Sequence, residues 1–138
     1  MKCPLLLDAN ALISLFDGSD PELERALCGA EELIVPVVAY AEVVAGAETD
    51  TKRARMTLDA LSALMSTPNT RLLPVSEATV RYYSKTYNQL KRNGTPIPTN
   101  DIWIAAATLE VGGVLFTRDR HFLKIPMFDT IGLEDASL

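Results

Sequence analysis

Short apolar runs that end at a polar or acidic residue and pass at once into helical periodicity constrain this chain more than any other feature. Leu5 to Leu7 end at Asp8, and Ala9 to Phe16 then carry apolar residues at helical spacing up to a stop at Gly18. Leu33 to Val35 repeats the pattern, followed beyond Pro36 by a helix over Val38 to Ala47, and Val114 to Thr117 repeats it again with Asp119 close behind. A strand that feeds directly into a helix is the repeating half of a β-α-β unit, and such units build parallel sheets.

The remaining segments fit between these runs. Asp20 and Pro21 start a second helix whose apolar face is Leu23, Ala26 and Leu27, stopped by Gly29. Thr51 to Ser66 reads as a helix with Leu58, Leu61, Leu64 and Met65 inward, and Leu72 to Val75 as a third strand. Ser76 caps a long helix with Val80, Tyr83, Tyr87 and Leu90 on its apolar stripe and Arg81, Lys85, Lys91 and Arg92 opposite, ending near Gly94. After the loop at Pro96 and Pro98, Thr99 or Asn100 caps a helix opened by Asp101, apolar almost all round from Ile102 to Leu109, which should be buried. The expectation is one α/β domain over residues 1–138, with a central, mostly parallel sheet flanked by helices.

A chain of 138 residues buries roughly two-thirds of its unfolded surface, so its core needs neither a disulfide nor a structural metal. Cys3 and Cys28 lack metal-ligand spacing and are too few for a disulfide framework, which fits a reducing cytoplasm; a bridge between the two stays open. Met1 to Asp8 makes a poor signal peptide, and no segment approaches the ~18 apolar residues of a membrane span.

The chemistry gathers in four acids. Asp8 follows three leucines, Glu42 lies within the apolar Val37 to Ala45, Asp101 begins an apolar helix and Asp119 ends an apolar strand. In open parallel sheets ligands bind beyond the carboxyl ends of the strands, where Asp8 and Asp119 fall. Acids so embedded should be partly buried, and a buried carboxylate needs a partner or a proton. Close pairs would repel by ~4 kcal/mol at an effective dielectric of about 20, and only Arg118 and Arg120 neighbour any of the four in sequence. A divalent cation relieves this. All-oxygen ligation points to Mg²⁺ or Mn²⁺, because a catalytic zinc site usually includes histidine or cysteine and the only histidine is His121.

Net charge is -5, which argues against binding nucleic acid by bulk electrostatics. Without the four candidates the balance is 14 acidic against 13 basic residues, so the excess can sit in a single site. No Ser/His/Asp or Cys/His set offers a protein nucleophile.

Leu-Leu-Asp-Ala-Asn-Ala-Leu-Ile at 6–13, Ala-Glu-Val-Val-Ala-Gly at 41–46, Asn-Asp-Ile-Trp-Ile-Ala-Ala at 100–106 and Leu-Phe-Thr-Arg-Asp-Arg-His-Phe at 115–122 together resemble PIN domains, in particular VapC-type toxins of toxin–antitoxin pairs. The resemblance covers nearly the whole chain, with 34, 59 and 18 residues between successive acids. It implies endonucleolytic cleavage of RNA by a metal-activated water, with Asp8, Glu42, Asp101 and Asp119 as catalytic metal-binding positions and Asn10 and Thr117 flanking them. It also implies a small cognate antitoxin, whose basic C-terminal segment would cross the acidic cleft, and a homodimer. Leu23, Leu27 and the helix over Thr51 to Ser66 would offer apolar surface for these partners.

Each flanking residue has a plainer counterpart. Asn10 either orients a water or hydrogen-bonds its turn, Thr117 either supports the site or simply favours a strand end, and His121, Arg118 and Arg120 either touch RNA or serve the surface. Arg81, Lys85, Lys91 and Arg92 read as a solvated face, and Tyr83, Tyr87 and Trp103 as core. Receiver modules and aspartyl phosphatases fit poorly, since Asp8 stands alone and Asn10 occupies the place of a second acid. The alternative of another class is a catalytically silent PIN-like binding module.

Overall fold

In the computed structural model, residues 3–134 are described; the outermost positions of the domain expected over 1–138 lie outside them. The elements run β1 (Leu5–Leu7), α1 (Ala9–Asp17), α2 (Pro21–Cys28), β2 (Leu33–Pro36), α3 (Val37–Gly46), α4 (Lys52–Met65), β3 (Thr70–Leu73), α5 (Glu77–Arg92), α6 (Thr99–Val111), β4 (Val114–Phe116) and β5 (Thr130–Ile131), with a 3₁₀ turn over Arg120–Lys124. The five strands form one sheet in the order β3-β2-β1-β4-β5, with every pairing parallel.

That order places the site. The chain moves from β1 to β2 to β3 in one direction, then crosses back to lay β4 on the other side of β1. Right-handed crossovers therefore put α1 to α4 on one face and α5 and α6 on the other; α1 packs on α3 and α4, and α5 on α6. The direction of winding reverses between β1 and β4, so their carboxyl ends open into a crevice. Both strands lack polar alternation because the sheet is covered on both faces: Leu5, Leu6, Leu7, Leu115 and Phe116 are fully buried.

Local signals set the helix ends. Asp8 caps α1 and Gly18 closes it in the left-handed conformation, while Asp20 caps α2 with Pro21 in its first turn. Ser76 and Thr79 form a capping box on α5. Helix α6 behaves as its apolar composition dictates, with Ile102, Ile104, Ala105, Ala106, Ala107 and Thr108 all buried.

Several details differ from the sequence reading. Strand β3 starts at Thr70 rather than Leu72, because parallel register with β2 pairs Leu33 to Thr70. Neither Thr99 nor Asn100 caps α6; Pro98 occupies the cap position without a side-chain bond. The inward stripe of α5 is Thr79, Tyr83, Thr86 and Leu90, which leaves Val80 48% and Tyr87 41% exposed. Thr79 tolerates burial because its hydroxyl donates to Glu110 Oε1 of α6, and Tyr83 is held by stacking on Trp103 at 3.9 Å. Leu58 points outward, Leu23 is fully buried rather than offered to a partner, and Cys3 and Cys28 are both free.

Gly132, just beyond β5, has φ 105°, and a Cβ there would meet the Thr117 carbonyl oxygen at 2.4 Å. Backbone cannot move aside as a side-chain tip can. Gly132→Ala should therefore cost roughly 1–3 kcal/mol in urea unfolding; a loss below ~0.5 kcal/mol would show that the β4–β5 edge yields freely.

Candidate metal centre

The four acids arrive from four places: Asp8 at the end of β1, Glu42 in α3, Asp101 in the first turn of α6 and Asp119 just after β4. Asp8 is buried, Asp101 and Asp119 are half-buried and Glu42 is exposed. Three of them sit where helical N–H groups favour negative charge: Asp8 caps α1, Asp101 lies in the first turn of α6, and Asp119 caps the 3₁₀ turn through the His121 N–H at 2.9 Å.

One hydroxyl ties the centre together. Thr117, fully buried, donates through Oγ1 to Asp8 Oδ2 at 2.5 Å and accepts from the Asp119 N–H at 2.9 Å. Asp8 Oδ1 meanwhile accepts from the Ala11 N–H at 2.9 Å. Both oxygens of Asp8 are thus engaged, and its carboxylate plane is fixed relative to the backbone that carries Asp119. Between the two readings of Thr117, the geometry supports a positioning hydroxyl. Asn10 is exposed on α1 and borders both neighbouring depressions, one beside Glu42 and the other beside Asp119.

The electrostatics reveal mutual repulsion. Burial raises Asp8 above the ordinary carboxylate range, against the lowering effect of its bonds from Thr117 and Ala11, and the charges of Asp119 and Asp101 raise it further. Partial loss of hydration raises Glu42, exposed though it is, and Asp101 and Asp8 add to the effect. Asp101 is raised by burial and by Asp119, with a hydrogen bond from His121 opposing. The clustered acids therefore act on one another across the cleft.

Of the two arginines that neighbour the site in sequence, Arg118 is committed to other partners. Arg118 turns away: Nε and Nη2 hold Asp20 at 3.1 and 2.9 Å, and Nη1 reaches Gly132 O at 2.8 Å and Glu22 at 3.0 Å. It lowers Asp20, an acid outside the cleft, and clamps α2 to the β4–β5 edge. Among the described residues, the only ion-pair partner of any of the four acids is His121, with Nδ1 3.0 Å from Asp101 Oδ2 and 3.2 Å from Asp119 Oδ1. The sequence reading left His121 to RNA contact or the surface. Its position two residues beyond a capping acid was the available signal, since such a turn brings the side chain back beside the cap. One potential ligand atom from each of Asp101, Asp119 and His121 lies within 4.8 Å of the others. Asp8 and Glu42 fall outside this close group and are linked to it through their charges.

The PIN domain model matches residues 5–126 of the chain. The chain is similar to Ribonuclease VapC1 of Haemophilus influenzae strain R2866, 30% identical over 124 residues that cover 87% of this chain and 90% of the relative. It is also similar to Ribonuclease VapC5 of Mycobacterium tuberculosis, 29% identical over 87% of this chain and 86% of the relative. Among solved structures, VapBC-1 from nontypeable Haemophilus influenzae superposes with TM-score 0.77 at 26% identity, over 93% of this chain and 96% of that one. DNA-bound VapBC from Salmonella typhimurium gives TM-score 0.79 at 20% identity, over 94% and 97%, a likeness of fold.

Two outcomes follow from the geometry. Thr117→Val keeps the shape but strips a donor from a buried carboxylate and an acceptor from the Asp119 N–H, so it should cost roughly 1–3 kcal/mol in urea unfolding; an unchanged midpoint would deny the bridge its role. The folded pKa of Asp101 lies above its unfolded value, so the folded state holds that proton more tightly, and stability present at low pH is lost as pH climbs through the raised value. Metal-free wild type should therefore lose stability relative to Asp101→Asn as pH rises above the ordinary aspartate value of about 4, whereas parallel stability curves would show that Asp101 is unperturbed.

Proposed function

The chain belongs to the PIN-domain family, among the VapC ribonucleases, and from that premise we propose that it is a Mg²⁺- or Mn²⁺-dependent endoribonuclease, the toxin of a type II toxin–antitoxin pair. The observation that carries this is the convergence of Asp8, Glu42, Asp101 and Asp119 at the switch point of the sheet, three of them raised by burial and by one another. A purely structural role would pair such acids with arginine or lysine, as Asp20 is paired with Arg118.

The donor set fits a hard divalent ion, since carboxylate oxygens are the ligands such ions prefer and the cleft holds surplus negative charge for one to offset. When bound, such an ion supplies Lewis acidity toward the scissile phosphate and makes water a competent nucleophile at neutral pH. The protein supplies the rest. Asp8, Glu42, Asp101 and Asp119 would hold the ion, and Thr117 keeps the Asp8 and Asp119 supports in fixed relation. Asn10, exposed at the rim, is placed to hydrogen-bond substrate or water.

Partners follow from the same reading. RNA is the substrate, and with an acidic cleft its phosphates would be held mainly through the cation. The antitoxin would silence the nuclease in the cytoplasm. A groove of about 830 Å³ between α1, α3 and α4, lined by Ile13, Phe16, Val43 and Met56 and reaching Glu42 and Asn10, suits a segment with apolar anchors and one basic residue directed at the acids. A homodimer would bury exposed apolar side chains outside that groove, such as Leu58 on α4 or Val80 and Tyr87 on α5.

Expression in a bacterial host tests the proposal. Wild type should arrest growth, Asp101→Asn should not, and co-expression of a neighbouring small open reading frame should rescue. Purified wild type should cleave RNA with Mg²⁺ or Mn²⁺, and EDTA or Asp101→Asn should lower the rate by at least ~100-fold. Saturating metal should also raise the melting temperature by mass action. Soluble wild type that is harmless in cells and inert on RNA, with metal bound, would favour a silent binding module.

A further inference from the structure

His121 is the only histidine in the sequence, and no role for it follows from the four-acid reading. Its placement is enforced by backbone. The His121 N–H donates to Asp119 Oδ1 within the 3₁₀ turn, and the next residue, Phe122, is fully buried against the core and stacks on Phe128. The imidazole is thereby held on the cleft side, with Nδ1 3.0 Å from Asp101 Oδ2 and 3.2 Å from Asp119 Oδ1, while its side chain stays 45% exposed.

Those separations carry geometric content. Two ligands at adjacent corners of an octahedron, each ~2.1 Å from a central ion, stand about 3.0 Å apart; adjacent corners of a tetrahedron at the same radius stand about 3.4 Å apart. The two nitrogen-to-oxygen distances fall in this interval. The imidazole nitrogen thus stands at ligand spacing from each carboxylate oxygen, and all three atoms lie within 4.8 Å of one another.

Resting on the metal-dependent reading above, we infer that His121 is a direct ligand which, with Asp101 and Asp119, sets the metal preference of the centre. Four carboxylates alone form an all-oxygen site suited to Mg²⁺. Adding an imidazole shifts preference away from Mg²⁺ and toward Ni²⁺ and Zn²⁺, which take nitrogen donors readily, with Mn²⁺ gaining less because it too favours oxygen. On this proposal the ligand set is mixed, and one side chain in a 3₁₀ turn tunes which metal loads the protein.

The same distances suit a plain hydrogen bond, and spectroscopy separates the two. With tag-free protein loaded with Mn²⁺, electron spin-echo envelope modulation should show coupling to an imidazole ¹⁴N, which can come only from His121. His121→Gln should abolish that coupling and weaken Ni²⁺ binding at least ~tenfold by calorimetry and Mn²⁺ binding less, with Mg²⁺ affinity changed less than ~threefold. Mn²⁺ bound to wild type without nitrogen coupling, or Ni²⁺ affinity untouched in a folded His121→Gln variant, would overturn the assignment while leaving the nuclease reading intact. Absence of any divalent binding by wild type would overturn both. Should His121→Gln fail to fold, the wild-type spectrum still decides.

Discussion

The hydroxyl of Thr117, buried between Asp8 and Asp119, is the contact on which the cleft depends. It joins the end of the central strand to the end of its neighbour with one donated and one accepted bond, so two acids 111 positions apart in the chain share a single rigid support. A hydroxyl is the smallest group able to do both. The surrounding fold serves that contact: β1 and β4 lie in parallel register, Gly132 lets β5 close against Thr117, and Arg118 pins α2 to the same edge.

Aspartates in this molecule illustrate how surroundings assign chemistry. Asp20 and Asp8 both cap helices by accepting an N–H three residues on. Asp20 has the Arg118 guanidinium beside it and is lowered, whereas Asp8 has leucines behind it and other carboxylates in front and is raised. One acid is a clamp and the other carries the perturbed pKa that marks a candidate site. The residue type is identical; the difference is whether the chain places a guanidinium beside the carboxylate.

Signals confined to a few neighbouring residues were legible in the sequence. The Asp8 and Asp20 caps, the Gly18 stop, the uninterrupted apolar runs of β1 and β2 and the all-apolar face of α6 depend on local chemistry, and each element lies within a residue or two of its expected bounds. What failed depends on distant partners. The rotation of α5 rests on Thr79 meeting Glu110, 31 positions away, and the diversion of Arg118 rests on Asp20, 98 positions away. Strand β5, two residues long, carries too little pattern to recognise. The acids stood out because apolar neighbours made them conspicuous; the contacts of His121 with Asp101 and Asp119 did not, because an exposed-looking histidine beside a capping acid has no such contrast.

The strand order also governs timing. Because β1 sits at the centre, it can pair with β2 soon after both leave the ribosome, but its other edge waits for β4, with Leu5 meeting Val114 across 109 positions. Such long-range pairing closes late. A growing chain that has emerged only as far as α5 possesses Asp8 and Glu42 but neither Asp101 nor Asp119. Half of the carboxylates cannot assemble the cleft, so the four acids come together only after α6 and β4 have joined the sheet.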